Sequence, residues 1–199
     1  MAEDRDARQR HLEAFRAALE RLHEESGLFH CALLVSALEY PDLEPGWWKD
    51  WHQRLGELTE TVSTALAGGS AGRPIERLNL LMGAFCEQLG FQGNREDYHA
   101  PANSCLVDVM AKRRGLPITL SVLLVTIGRR LGFDFYGVAS PGHFLAGVDL
   151  GDSGSLFMDP FGGPRCLDDR QASMLVEDYT GIPHDQLLPL LRPARTEIP

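Results

Sequence analysis

Apolar residues recur at helical spacing through the first 90 residues of the chain. Within residues 8–23 one helical face would carry Leu12, Phe15, Leu19 and Leu22. The segments "LFHCALLVSALEY" and "WWKDWHQRLGELTETVSTAL" continue the helical pattern, with Pro41 and the residues after it as a stop between them. After the break "AGGSAG" a further helix is expected to begin at Pro74 and to end before Gly90. This half of the chain is therefore predicted to be mostly helical.

The pattern changes after the segment "FQGNREDYHAPAN". Two helices separated by "RRGLP" are predicted next, and the second carries the apolar run "LPITLSVLLVTIG", which is too short to span a bilayer and indicates a buried helix. Beyond Gly132 the short segments "FDFYGVAS", "HFLAGVDL" and "SLFMD" predict strands. A last helix is expected to begin after Asp168 or Asp169 and to stop at Gly181, and the tail "RPARTEIP" is expected to be loose.

The last two predicted strands place a histidine near an aspartate. If a three-residue loop at 151–153 joins them, Leu145 faces Asp159, and His143 lies two residues along on the same face. That diagonal is about 7–8 Å between backbones, so the two side chains could meet. A slip of one residue would put them on opposite faces. A structural histidine–aspartate pair and a catalytic one remain equally open at this point.

Cys105, in the segment "NSCLVDVM", is the candidate nucleophile. With Asn103 as the helix N-cap, Cys105 would lie in the first helical turn, where unsatisfied N–H groups and the helix dipole favour a thiolate. His143 would then take the thiol proton and Asp159 would orient the imidazole. The alternative is that Cys105 is a small buried residue packed with Val109, as free cysteines commonly are.

The stretch from "GNREDYHAPANSCLVDVMAKRRGLPITLSVLLVTIG" through "SPGHFLAGV" to "MDPFGG" resembles the transglutaminase-like superfamily, and within it the SirB-one (SirB N-terminal domain) family. The resemblance covers roughly residues 75–170. It implies a papain-like α+β core, in which active members use a Cys-His-Asp triad, and it places His143 and Asp159 at the family's histidine and aspartate. By the spacing to the strands, the family's nucleophile would fall at about Pro117 or Ile118, neither of which can attack a carbonyl. Cys105 lies one short helix earlier.

Composition narrows the function classes. Acidic residues outnumber basic ones 28 to 19, giving a net charge of −9, which argues against binding to nucleic acid or to an anionic membrane. The N-terminal residues are charged from Glu3 onward and predict no secretory signal. The four cysteines are scattered without a CxxC pair, so free thiols in a cytoplasmic protein are expected and no metal or other cofactor is predicted.

These observations predict an α+β fold, with a helical N-terminal half packed on a transglutaminase-like (papain-like) core that has a small antiparallel sheet. We expect one domain over residues 1–199, divided into a helical lead-in (1–92), a core (93–185) and a loose tail (186–199). Trp47, Trp48 and Trp51 are expected to pack on the core, with an exposed partner patch as the alternative.

Two function classes remain open. The first is a non-catalytic or degenerate protein-interaction domain, which the position of Cys105 favours slightly. The second is a thiol-dependent acyl transferase or hydrolase using Cys105, His143 and Asp159 on a peptide or similar substrate. Asn103 has a supporting role as helix cap in either case.

Overall fold

The computed structural model of the chain describes residues 2–22, 26–40, 43–44, 46–69 and 72–191, with side chains from residue 9 onward. The helices, in chain order, are α1 (Ala2–Leu19), α2 (Gly27–Ser36), α3 (Trp48–Gly68), α4 (Pro74–Gly83), α5 (Leu106–Lys112), α6 (Pro117–Arg130), α7 (Asp169–Thr180) and α8 (His184–Leu187). A π-helical turn, Ala84–Gln88, extends α4, and 3₁₀ turns span Pro101–Ser104, Gly151–Ser153 and Leu188–Leu191.

The strands form one antiparallel sheet and one short parallel pair. The parallel pair is β1 (Gln92–Gly93) with β2 (Arg114–Gly115), and the sheet has the order β3 (Phe135–Ser140), β4 (His143–Asp149), β5 (Ser155–Met158) and β6 (Cys166–Leu167). The α+β prediction is therefore confirmed. None of the helices in the described ranges is long and apolar enough to cross a membrane.

Helix α6 lies at the centre of the fold. Pro117 occupies its first turn, where the missing N–H costs nothing, and every residue from Thr119 to Gly128 is buried. Its sides contact α2, α3, β3 and β4. Gly128 is needed where the helix crosses the sheet, because a Cβ there would lie 2.3 Å from Cδ2 of Phe135. The expectation of a buried helix in this segment is confirmed.

The register of the β4–β5 hairpin is the one that the sequence predicts. Ala146 pairs with Met158 and Asp149 with Ser155, so the next position along the same register sets Leu145 opposite Asp159. The 3₁₀ turn Gly151–Ser153 forms the middle of the connection. This register brings His143, at the start of β4, to the same end of the hairpin as Asp159, just past the end of β5.

Helix α7 covers the other face of the sheet. Asp168 is its N-cap, bonded through its side chain to the Gln171 N–H, and Gly181 ends it in the left-handed conformation, as predicted. Leu187 and Leu191 are buried against this layer in a second apolar cluster. The expectation of a loose tail from residue 186 is therefore wrong for residues 186–191, since these two leucines anchor α8 and the turn after it. The remainder of that tail, residues 192–199, lies outside the described residues.

The N-terminal helices differ from the sequence expectation in their boundaries. Helix α1 ends at Leu19, so Leu22 lies beyond it, and both leucines are exposed together with Leu12. Contact with α2 is made by Ala18, with Phe15 packed beside it. The three tryptophans are half-buried and pack against the main core, which agrees with the core interpretation of that cluster. The predicted glycine-rich break includes residues 70–71, which lie outside the described residues.

Candidate functional site

His143 and Asp159 form a buried pair at one end of the sheet. Nε2 of His143 lies 3.1 Å from Oδ1 of Asp159, and the residues are 7% and 5% exposed. The same Oδ1 accepts a hydrogen bond from the Phe161 backbone N–H at 3.1 Å. The Asp159 carbonyl accepts from the N–H groups of Gly162 and Gly163, which folds "DPFGG" into a tight turn. The turn fixes the aspartate, and the hairpin register brings the histidine to it.

Aromatic rings cover the imidazole on two sides. Tyr179, in the last turn of α7, stacks on His143 with ring centroids 4.5 Å apart and 10° between the planes. Phe161 meets the imidazole nearly edge-on, with centroids 6.3 Å apart. The guanidinium of Arg95 lies 5.1 Å from the Phe161 ring, and a side-chain hydrogen bond links Arg95 to Tyr179. Tyr98 contacts Phe161 from the same loop, at 5.8 Å between centroids.

The pairing determines which imidazole nitrogen is available for chemistry. A carboxyl group that accepts from Nε2–H leaves Nδ1 as the basic nitrogen. Within the described residues, Nδ1 of His143 has no hydrogen-bond partner. The arrangement can therefore hold one tautomer and can offer a base at Nδ1 to a group placed beside it.

Cys105 lies in a different environment. It is the N-cap residue of α5, with extended backbone, and it is 3% exposed. Burial raises the pKa of its thiol, and the carboxyl groups of Asp108 and Glu39 raise it further, against a smaller opposing effect of Lys112. No hydrogen bond or ring contact joins Cys105 to His143 in the parts of the chain that the structure describes. The structure brings together His143 and Asp159, and it gives Cys105 other neighbours.

A polar cluster occupies the surroundings of Cys105. Asp108 accepts hydrogen bonds from Tyr40, at 2.5 Å, and from Lys112, at 2.7 Å. Burial acts to raise the pKa of Asp108, but these two donors outweigh it and lower the pKa. The bond to Asp108, with burial, raises the pKa of Tyr40 to about 12. An acidic group beside the thiol disfavours the thiolate, the opposite of what a cysteine nucleophile requires.

Asn103 is not the helix cap that the sequence suggests. It belongs to the 3₁₀ turn before Cys105, and its side-chain amide donates to the carbonyls of Asp97 and Tyr98 while accepting from Asn94. Its own carbonyl accepts from the Thr119 hydroxyl at 2.9 Å. The prediction of a cap was wrong because the helix begins two residues later than expected. Asn103 instead holds the loop that carries Arg95 and Tyr98 against the start of α6.

The start of α6 lies near the strand that carries His143. Ser121, in the second turn of the helix, donates through its hydroxyl to the Phe144 carbonyl at 3.3 Å. This bond joins the second turn of α6 to the beginning of β4. Pro117 and Ile118, where family spacing would put a nucleophile, lie in the first turn of the same helix and have no nucleophilic atom.

The other three thiols also lie in environments that oppose ionisation. All four cysteines are free. Burial raises the pKa of Cys86 to about 12 and that of Cys166 to about 11, and it also raises the pKa of Cys31. Among the described residues no group of three or more histidine, cysteine or acidic side chains lies close enough together to hold a metal ion.

The sequence interpretation missed the aromatic cover of the site. Tyr179 and Arg95 are far from His143 along the chain, and no spacing rule connects a residue of the last helix with the loop before α5. The sequence feature that pointed to Tyr179 was its place in the helix that follows the "DPFGG" turn, and that place is compatible with many ways of packing the helix.

Comparison with known proteins identifies the family. The family model described as the transglutaminase-like superfamily matches residues 49–196. A UPF0162 protein of Xylella fastidiosa is 36% identical over 170 residues, which cover 84% of this chain and 58% of the relative. Another, from Vibrio cholerae, is 31% identical over 115 residues, covering 57% of this chain and 42% of that protein.

A third relative is much longer. Human F-box only protein 21 is 34% identical over 100 residues, which cover 47% of this chain but 16% of that protein. Of the Xylella fastidiosa relative, the chain spans little more than half the length. No solved structure matches it significantly. Because the family model covers most of its length, the chain belongs to the transglutaminase-like superfamily.

Proposed function

We propose that this chain is a non-catalytic protein-interaction domain in which His143 and Asp159 stabilise the fold. The observation that carries the proposal is the environment of Cys105, whose thiol has a raised pKa and has Tyr40, Asp108 and Glu39 as neighbours. A thiol nucleophile needs a base or a positive field beside it, whereas here the acidic groups outweigh the opposing effect of Lys112. The base and the thiol are thus not assembled into one site.

The histidine–aspartate pair has a structural use that needs no nucleophile. It joins the start of β4 to the turn after β5, and the stacked Tyr179 joins both to α7. A buried hydrogen bond of this kind contributes about 1.5–3 kcal/mol when one partner is a charged group. The contribution of the pair to the stability of the fold therefore explains its presence in a protein without a working thiol.

The relatives support a modular interaction domain. The matching region is a sixth or less of F-box only protein 21 and little more than half of the Xylella protein, so the same domain is built into chains of different length. Exposed aromatic residues border the site, with Tyr98 41% and Tyr179 46% exposed. Exposed tyrosines beside an arginine are typical of protein-binding surfaces.

Thiol alkylation tests the proposal directly. The native protein is treated with iodoacetamide over a range of pH, and the rate at each of the four cysteines is read by peptide mass spectrometry, in the wild type and in His143→Gln. We expect Cys105 to react slowly at neutral pH, to follow a pKa above the ordinary thiol value of about 8.5, and to be insensitive to the His143 substitution. Cys31, which is also buried, is the internal reference.

A different result would favour catalysis. Rapid alkylation of Cys105 near neutral pH, slowed by His143→Gln while Cys31 is unchanged, would mean that the thiol reaches the imidazole in solution. That outcome would overturn the interaction-domain proposal.

The second candidate is a thiol-dependent acyl transferase or hydrolase, and the free Nδ1 of His143 favours it. In that reaction Nδ1 takes the Cys105 thiol proton, the thiolate attacks an amide or ester carbonyl, and the protonated imidazole returns the proton to the leaving group. Asp159 stabilises the imidazolium. For this chemistry Cys105 would have to leave its present neighbours, so we rank it second. Membership of the SirB-one family and a cytoplasmic location remain predictions.

A further inference from the structure

A groove borders Asp159 at the turn after β5, and His143 is not among the residues that line it. It has a volume of about 480 Å³ and lies between α4, the turn after β5 and helix α7. Asp159 and Gly162 form part of its wall, and Gln171, Met174 and Asp178 of α7 form the opposite side. The groove is separate from the covered imidazole, although it shares Asp159 with it.

One oxygen of Asp159 has no partner on this side. Oδ1 accepts from His143 and Phe161, whereas Oδ2 is buried without any hydrogen bond. A buried acceptor left without a donor is destabilising, so such an atom calls for an explanation in terms of a partner.

Gly162 lies next to this oxygen. A Cβ at position 162 would lie 2.4 Å from Oδ2, so any side chain there would fill the space between the oxygen and the groove. Because glycine has none, no side chain stands against Oδ2 at this position.

The charges of the groove favour a cationic donor. Asp159 and Asp178 face one basic residue, Arg165, and within the described residues neither Arg165 nor Asp178 takes part in an ion pair. The lining thus carries two acidic groups against one basic group. Met174, 47% exposed, gives the wall an apolar surface along which an aliphatic stem can pack.

We propose that this groove binds a basic side chain, arginine or lysine, of a partner protein, with its nitrogen atoms directed at Oδ2 of Asp159 and at Asp178. An arginine suits it best because its planar guanidinium presents several donors to two separate acceptors. The inference rests on the proposed interaction function for its biological use. It adds that the partner presents a basic side chain and that this side chain contacts Asp159, the residue that holds His143.

Binding of a minimal ligand tests this. The full chain, labelled with ¹⁵N, is titrated with Nα-acetyl-arginine amide, and the backbone amide signals of Gly162, Gly163 and Leu167 are followed by NMR. We expect saturable shifts at these residues with a millimolar dissociation constant. Nα-acetyl-citrulline amide, which has nearly the same shape without the charge, should bind at least about fivefold more weakly, as expected for loss of one partly buried ion pair.

Matched variants locate the site. Asp178→Asn should weaken binding of the arginine amide by roughly threefold, as for a partly exposed ion pair, while Asp185→Asn, an exposed aspartate outside the groove, should leave it unchanged. Absence of saturable shifts, equal binding of the citrulline amide, or equal effects of the two variants would each overturn the proposal.

The two proposals can fail separately. A reactive, His143-dependent Cys105 together with arginine binding at Gly162 would overturn the interaction function and leave the groove assignment intact. An inert Cys105 without arginine binding would leave the interaction function intact and overturn the groove assignment.

Discussion

The ring of Tyr179 lies parallel to the imidazole of His143, with centroids 4.5 Å apart. This contact fastens the last turn of α7 to the first residue of β4 and covers one face of the imidazole. The hydrogen bond between Arg95 and Tyr179 ties the loop after β1 to the same stack. The histidine is thus a packing element shared by three segments of the chain.

Removing the stacked ring should weaken this junction. We expect Tyr179→Ala to lower the free energy of unfolding by about 1–2 kcal/mol, because an aromatic pair contributes beyond its buried area. Tyr179→Phe keeps the stack and loses only the hydrogen bond to Arg95, so it should cost less than about 1 kcal/mol. Urea denaturation followed by circular dichroism measures both. Equal stability of Tyr179→Ala and the wild type would show that the stack contributes nothing to the fold.

The histidine–aspartate pair should behave as a coupled structural unit. His143→Ala and Asp159→Ala should each lower the free energy of unfolding by about 2–4 kcal/mol, since each leaves a buried polar partner unsatisfied. The double variant should be less destabilised than the sum, with a coupling energy of about 1.5–3 kcal/mol. Asp185→Asn serves as the exposed control. If either single variant were more stable than the wild type, the pair would be a strained functional site and not a stabilising one.

The site could be predicted from the sequence where local rules act. Turn residues and strand alternation fix the register of the β4–β5 hairpin, and that register alone puts His143 beside Asp159. The cap at Asp168 and the stop at Gly181 follow in the same way from side-chain chemistry and backbone freedom. These features depend on residues close together in the chain.

The surroundings of Cys105 could not be predicted in this way. A shift of the helix start by two residues turns Cys105 from a first-turn residue into the N-cap, and its neighbours Glu39 and Tyr40 come from a segment more than 60 residues earlier. Such contacts depend on how distant helices pack together. The spacing of apolar residues along the chain does not reveal that packing. The same holds for Arg95 over Phe161.

A histidine pair between α2 and α3 should make stability depend on pH. Nδ1 of His30 lies 3.2 Å from Nε2 of His52, and burial, with His30 and Arg130 nearby, lowers the pKa of His52 from 6.5 to about 4. Between these two values the unfolded chain binds a proton that the folded chain does not, so the free energy of unfolding falls as the pH falls from about 6.5 towards 4. Burial also lowers the pKa of His30, which acts in the same direction.

Urea midpoints measured from neutral pH down to about pH 4 should therefore fall less steeply for His52→Gln than for the wild type. His99→Gln, an exposed histidine outside the pair, should keep the wild-type slope. Identical slopes for all three proteins would mean that the pair does not titrate with folding.

Two helical glycines should respond in opposite directions to the same substitution. Gly128 of α6 lies against Phe135, where an added Cβ would be 2.3 Å from a ring carbon, whereas a Cβ at Gly56 of α3 would meet nothing within 4 Å. Alanine is the better helix former by about 1 kcal/mol, so Gly56→Ala should raise the free energy of unfolding by up to that amount. At Gly128 the same gain is offset by overpacking of about 1–3 kcal/mol, because both the helix and the ring are buried, and we expect a net loss of stability. Urea denaturation of the two variants side by side gives the comparison. A stabilised Gly128→Ala would mean that the sheet can move away from α6, and the central helix would then not be the rigid support on which the position of His143 depends.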